Sequence, residues 1–391
     1  MKRQTIVGLL AFVLAVGPAV SLFAADGVIK IGISSSKSGN YTDVGASAKN
    51  GVEMAQQEIN ATGLSIGGKT YTIELIFVDN GSSRSTATAN ALSLISQHRV
   101  MAIVGPQSSD RSIPVGEMAN AFKTPMITPW ATAPQVTLNR PFVFRMTVMY
   151  EIQATAMTKF AASKWQARKA AVLCDEVSLD PAEMGKAFRQ EFEKANGSGS
   201  VVSFQTFRPG ETDFSKQLQA IINSNADFLY VPQYHRDVPA ILRQARKMGW
   251  TKPITGSNTW SVLDLVGKCG DLCKGSYITG NFAAGGADGK ARVFIDNYQK
   301  KFNILPDEVA ALNYDAIQLV AASLKNVDKL TGNIVEDRTK LRERIAETKR
   351  FEGATGVLTF AGTGDPEKCA VLIKFDDDGI LSNQDKVCPG M

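Results

Sequence analysis

The residues best placed to do chemistry carry hydroxyls and gather at two turns. Ser108 and Ser109 follow the apolar run Ala102-Ile103-Val104 and the turn Gly105-Pro106-Gln107, and Thr128 and Thr132 frame the turn after Met126-Ile127. Hydroxyls, the backbone N–H groups of such turns and the positive end of a helix beginning near Ser109 to Ser112 together suit one carboxylate. Serine and threonine also cap helices. Ser112 is read here as a capping residue, and Ser109 and Thr132 as ligand contacts. His98 and His235 are the only histidines. Their separation removes His-rich metal sites and the helical H-E-x-x-H pair. The chain has no G-x-S-x-G elbow and no G-x-G-x-x-G after its first strand. A Ser–His–acid triad on His235 is the weaker, enzymatic alternative. No enzyme, cofactor or metal is expected.

The turns need strands and helices to hold them. Val28 to Ile33 alternates as a strand, Val52 to Ile59 has helical spacing, Tyr71 to Val78 alternates, Thr86 to Gln97 is helical and Met101 to Val104 is a short apolar strand. The rhythm restarts with strands at 169–173, 201–204 and 228–231 and helices at 182–195 and 214–223. Strands alternating with helices predict βαβ units on parallel sheets, in two successive halves. The run Ala102 to Ser109 also parallels Phe228 to His235, and Pro125-Met126-Ile127-Thr128 parallels Pro253-Ile254-Thr255, as in a duplicated unit. Each copy sets its turns at the carboxyl ends of neighbouring strands, where open α/β sheets bind ligands. Two such edges can close on a small molecule.

Composition agrees with a globular protein of two or three domains: 391 residues, 44% hydrophobic and 21% charged. A net charge of +5 is too diffuse for nucleic acid. Met1, Lys2 and Arg3 lead into an apolar run, Ile6 to Phe23, and the small pair Ala24-Ala25. This predicts a signal peptide over residues 1–25, cleaved near Ala24 or Ala25, with a membrane anchor as the alternative. Export permits disulfides among Cys174, Cys269, Cys273, Cys369 and Cys388. The pairs 269–273 and 369–388 are favoured, with Cys174 a buried free thiol, although sequence alone does not determine connectivity.

Several stretches taken together resemble one family. They are Ser38-Gly39 to Gly45, Asn50-Gly51-Val52-Glu53-Met54-Ala55, Gly105-Pro106-Gln107-Ser108-Ser109, Thr128-Pro129-Trp130-Ala131-Thr132-Ala133-Pro134 and Thr212-Asp213-Phe214. Further along come Ile241 to Arg246, Asn313-Tyr314-Asp315-Ala316 and Gly362-Thr363-Gly364-Asp365. In order and spacing they resemble the periplasmic substrate-binding proteins of the branched-chain amino acid type, over residues 27 to 388. The resemblance implies an α/β fold of two Rossmann-like lobes, each a parallel sheet flanked by helices, joined by a three-stranded hinge. It places 27–148 plus 280–355 in lobe 1 and 149–279 plus 356–391 in lobe 2. It further implies a monomer that delivers a small carboxylate ligand to an inner-membrane ABC permease.

By the same resemblance, Ser109 and Thr132 hold the ligand α-carboxylate, the Trp130 carbonyl receives an α-ammonium, and Tyr234 closes from the second lobe. Asp175 matches the aspartate of a D-x-x-Y-G-type loop, but residues 176–184 depart from the Tyr-Gly pattern. Where the family's amino acid binders place acidic groups opposite the ligand nitrogen, this chain has Tyr150 and Asn258, with Glu151 adjacent. Trp130, Tyr150, Tyr234 and Trp260 could instead form an aromatic pocket, Trp260 being the readiest to serve only in packing. The solute is then an amino acid, an acid without the amino group, or a cation held on aromatic faces. A ligand sensor of the same fold and a secreted α/β hydrolase are the alternative functions.

Overall fold

The structure, a computed structural model, describes residues 25–388. The expected signal peptide lies outside the described residues except for Ala25. No helix among the described residues is long and apolar enough to cross a membrane.

Two sheets organise the chain. Edge to edge, the first runs Leu64–Ile66, Lys69–Asp79, Gly27–Ser35, Ala102–Val104, Met126–Thr128 and Val143–Arg145. The second runs Leu381–Val387, Ala370–Phe375, Tyr277–Gly280, Ile254–Gly256, Phe228–Tyr230, Ala170–Asp175 and Val201–Phe207. The expected parallel pairing holds in the body of both sheets. The edges differ: Leu64–Ile66 in the first sheet and the hairpin of Ala370–Phe375 with Leu381–Val387 in the second are antiparallel. The strands Ala102–Val104, Met126–Thr128 and Phe228–Tyr230 are wholly buried. Strands covered on both faces need continuous apolar runs rather than alternation. The paired runs seen in the sequence become equivalent units: helix Ser109–Ala121 links two adjacent strands of the first sheet, and helix Val238–Lys247 links two of the second.

Helix Thr42–Thr62 starts well before the apolar spacing that signalled it. Gly45 and Gly51 blur that spacing, yet Gly51 is what lets this helix press on helix Glu308–Lys325. A Cβ at Gly51 would sit 2.2 Å from the Ala310 carbonyl oxygen. The cysteines pair as favoured, Cys269 with Cys273 and Cys369 with Cys388, and Cys174 is a buried free thiol whose pKa burial pushes up to about 12.

The chain passes between the sheets after Val143–Arg145, after Tyr277–Gly280 and before Ala370–Phe375. Buried polar side chains tie these passages together. Asn281 accepts the Val148 N–H through Oδ1 at 3.0 Å, and its Nδ2 donates to Thr147 Oγ1 at 2.8 Å and Glu308 Oε1 at 3.0 Å. Lys368 Nζ donates to the Met146 carbonyl at 3.0 Å and Thr355 Oγ1 at 2.7 Å. The strands Gly356–Phe360 and Pro366–Glu367 precede the last passage and pack on the first lobe. The Phe360 ring lies 5.2 Å from that of Phe144, and Arg145 N–H donates to the Gly364 carbonyl at 2.9 Å. The last passage therefore follows Glu367, whereas the sequence reading ended lobe 1 at residue 355.

Candidate functional site

The site starts at the turn after strand Ala102–Val104. Gly105 has φ +92°, and a Cβ there would meet the Ser34 carbonyl oxygen at 2.3 Å, so only glycine makes the turn. The next carbonyl, of Pro106, accepts the Ser112 hydroxyl at 3.0 Å and the Thr128 hydroxyl at 2.8 Å. These two residues fasten neighbouring strand ends together, and Ser112 is structural as expected, though it lies inside the helix rather than at its cap.

Ser109 opens the helix and is fully buried. Its hydroxyl oxygen accepts the N–H groups of Thr132 and Ala133, each at 3.1 Å. The two turns singled out in the sequence are thereby one structure. Arg145, which the sequence reading did not single out, holds that structure from below. Its guanidinium donates to the carbonyls of Ala131 at 3.0 Å and Ala133 at 2.8 Å, to Thr137 Oγ1 at 3.0 Å, and to Asp365. It grips both neighbours of Thr132 and is itself fully buried.

Three of the expected residues meet at one carboxylate. Asp180, from the first turn of helix Leu179–Asn196 in the second lobe, accepts the Ser109 N–H at 3.1 Å and the Tyr234 hydroxyl at 2.9 Å through Oδ2, and the Thr132 hydroxyl at 3.4 Å through Oδ1. Burial raises the Asp180 pKa, and hydrogen bonds from Ser109 and Tyr234 oppose the rise. Its trace in the sequence was the loss of the Tyr-Gly pattern after Asp175. Asp175 itself shapes the loop, accepting the N–H groups of Val177 at 2.7 Å and Ser178 at 3.1 Å.

Around this centre the Tyr234 ring meets Tyr41 edge-on at 5.3 Å. The guanidinium groups of Arg111, at 5.1 Å, and Arg236, at 4.6 Å, lie over the Tyr41 ring. Arg111 is itself buried and stands 3.9 Å from Asp110 Oδ2.

The other expected residues are placed differently. Trp130 is buried and donates through Nε1 to Glu308 Oε1 at 3.0 Å, joining the site to the hinge carboxylate. Burial raises the pKa of that carboxylate, against hydrogen bonds from Asn281 and Trp130. Tyr150 begins helix Tyr150–Trp165; burial raises its pKa, and the charges of Glu151, Glu183 and Asp180 add to the rise. Glu151 is also raised by burial, and its Oε2 is buried without a hydrogen-bond partner. Asn258 donates its N–H to Gln153 Oε1 at 3.2 Å and leaves its own Oδ1 buried and unpartnered. Trp260 is 0% exposed, covers Gly256 and approaches the Phe375 ring at 6.2 Å. A side chain at position 256 would occupy the space of its ring, and its Nε1 is buried without a hydrogen-bond partner.

Comparison with known proteins agrees with this architecture. The chain is similar to Leu/Ile/Val-binding protein homolog 3 of Brucella melitensis, 25% identical over 95% of this chain and 97% of that protein. It is also similar to the leucine-, isoleucine-, valine-, threonine- and alanine-binding protein of Pseudomonas aeruginosa, 26% identical over 93% of this chain and 94% of the other. Among solved structures, the branched-chain amino acid transporter substrate-binding protein LivJ of Streptococcus pneumoniae, in complex with isoleucine, superposes with a TM-score of 0.82 at 29% identity, covering 93% of this chain and all of the other. An ABC transporter solute-binding protein of R. palustris in complex with benzoate shares the fold, with a TM-score of 0.81 at 21% identity over 93% of this chain and 97% of that one. The model of the family described as periplasmic binding protein matches residues 28–379, and the chain belongs to that family.

Proposed function

We propose that this chain is an exported, monomeric solute-binding protein. It takes a small carboxylate-bearing solute, an amino acid or a related aliphatic or aromatic acid, between its two lobes and presents it to an inner-membrane ABC permease. Export rests on the signal peptide read at residues 1–25. The observation that carries the reading is the donor set of Ser109 N–H, Thr132 hydroxyl and Tyr234 hydroxyl converging on a carboxylate, that of Asp180. Donors fixed by the fold around a carboxylate suit an incoming one of the same shape and charge. A solute using this set displaces Asp180, and the lobes then close on the solute rather than on each other.

The relatives leave the nitrogen end of the solute open, since one holds isoleucine and another benzoate. The neutral Tyr150 and Asn258 favour a solute with no charged amine, because a buried ammonium without a carboxylate partner is costly, whereas the buried, unpartnered Glu151 Oε2 beside Tyr150 favours an amine. The test is a thermal-shift screen of the ligand-stripped mature chain against aliphatic and aromatic amino acids, each paired with its keto or deaminated acid. A bound solute at a hundred times its Kd stabilises by about 2.7 kcal/mol. Stabilisation by an acid and none by its amide supports the reading. Stabilisation by amines or amides alone overturns the carboxylate assignment.

A further inference from the structure

A second group of side chains brings the lobes together. Asp43 stands in the first turn of helix Thr42–Thr62 in the first lobe, while His235 and Asp264 belong to the second lobe. One ligand atom from each lies within 4.8 Å of those of the other two, the one such trio of histidine, cysteine or acidic residues found among the described residues.

Two features distinguish the trio from an ordinary ion pair. His235 is 1% exposed and both its ring nitrogens lack hydrogen-bond partners. Its Nε2 stands in an ion pair 2.6 Å from Asp43 Oδ2, off the line of a well-aligned hydrogen bond, and its Nδ1 has no partner. The buried imidazole is thus incompletely satisfied by protein groups, which is costly unless a further group joins it.

We propose that Asp43, His235 and Asp264 form a divalent-cation site that bridges the two lobes. One imidazole with two carboxylates suits a first-row ion such as Zn2+ better than Mg2+ or Ca2+, which prefer oxygen alone. Around a tetrahedral zinc the His235 and Asp43 ligand atoms stand about 3.3 Å apart, so they part by less than about 1 Å to admit it. Asp264 already accepts Lys268 Nζ at 2.7 Å through Oδ2, and its other oxygen serves the ion. Access is from a cavity of about 240 Å3 lined by Asp43, Asp264, Ser47 and Asn50. Asp307 lines the same cavity but is engaged by the Ser47 hydroxyl and by the N–H groups of Ala310 at 2.9 Å and Leu263 at 3.2 Å, so it stands behind the site rather than in it.

Because the ligands come from both lobes, the ion favours the lobe arrangement seen here, in which Asp180 fills the turn of Ser109 and Thr132. The site does not depend on which solute the protein takes.

The experiment is calorimetric titration of ZnCl2 into the tag-free mature chain after chelator treatment and dialysis, with MgCl2 and CaCl2 as parallel titrants. One Zn2+ per chain is expected, with binding at least tenfold weaker in His235→Ala and in Asp264→Asn and unchanged in His98→Ala. Asp264 is partly exposed, so its substitution leaves the fold intact, as circular dichroism would verify. No saturable Zn2+ binding below about 0.1 mM, binding untouched by both substitutions, or equal binding of Mg2+ would each overturn the proposal.

Discussion

Asp180 reaches from the second lobe to the first and accepts the backbone N–H of Ser109 at 3.1 Å. The protein thereby places one of its own carboxylates on the turn proposed above to receive the solute's carboxylate. A tethered carboxylate acts at high effective concentration and lowers the apparent affinity of any free one. Asp180→Ala is expected to raise the affinity for the cognate acid at least tenfold, measured by titration calorimetry. A fall in affinity would instead show that Asp180 contacts the solute.

Ser109→Ala and Thr132→Ala are both expected to weaken solute binding, each by about 1.5–3 kcal/mol for a hydrogen bond to a charged group. They separate in the ligand-free protein. Ser109 Oγ also holds the N–H groups of Thr132 and Ala133, so its removal leaves two buried donors unpaired. A urea titration should show Ser109→Ala less stable by roughly 1–3 kcal/mol, with Thr132→Ala changed far less. Equal stabilities would refute the role given to Ser109 Oγ.

Arg145→Met should destabilise the chain by about 3–5 kcal/mol, because it strands a buried acceptor set and the Asp365 carboxylate. The Arg145 guanidinium satisfies the Ala131 and Ala133 carbonyls together. Arg145→Lys cannot reach both in the same fork and should retain stability better than it retains solute affinity. Chemical denaturation alongside binding titration tests both statements.

Lys368 gives the hinge a pH signature. Burial lowers its pKa from 10.5 to about 8, with Asp315 and Glu308 opposing. Between these values the unfolded chain holds the proton that the folded chain has released, so folded stability rises with pH across that window; below about pH 8 the full burial penalty applies. Lys368→Met removes the effect. The stability of the parent chain relative to Lys368→Met should therefore increase by roughly 3 kcal/mol between pH 7.5 and 10.5. A difference independent of pH would show that Lys368 stays charged and solvated in the folded chain, as it is in the unfolded one.

The sequence made the alternation of strands and helices legible because buried parallel strands such as Ala102-Ile103-Val104 are uniformly apolar and stop at Gly-Pro. Ser109 and Thr132 stood out as candidates because their turns end neighbouring strands, whereas Tyr234 was indicated only by the family resemblance. Asp180 was not, since its only sign was a missing Tyr-Gly, and an aspartate near a helix start reads as an ordinary capping residue. Arg145 is a lone charge in a three-residue strand, and nothing local says that it faces Ala131 and Ala133. Trp260 stays between the two roles the sequence allowed it: its ring packs on Gly256, while its Nε1 is buried without a partner. The His235 approach to Asp43 joins residues from opposite halves and has no local pattern at all.

The passages of the chain between the sheets also govern how the molecule can be made. Helix Thr42–Thr62 is synthesised early, but the helix it packs against, Glu308–Lys325, emerges only after most of the second lobe. The early half must wait with its apolar face uncovered, exposed to aggregation for most of translation. No single cut yields an intact lobe, since each sheet or its covering helices draws on chain from both sides of the other. Each lobe is thus completed by chain that follows part of the other, and a chain released before Glu367 leaves both unfinished.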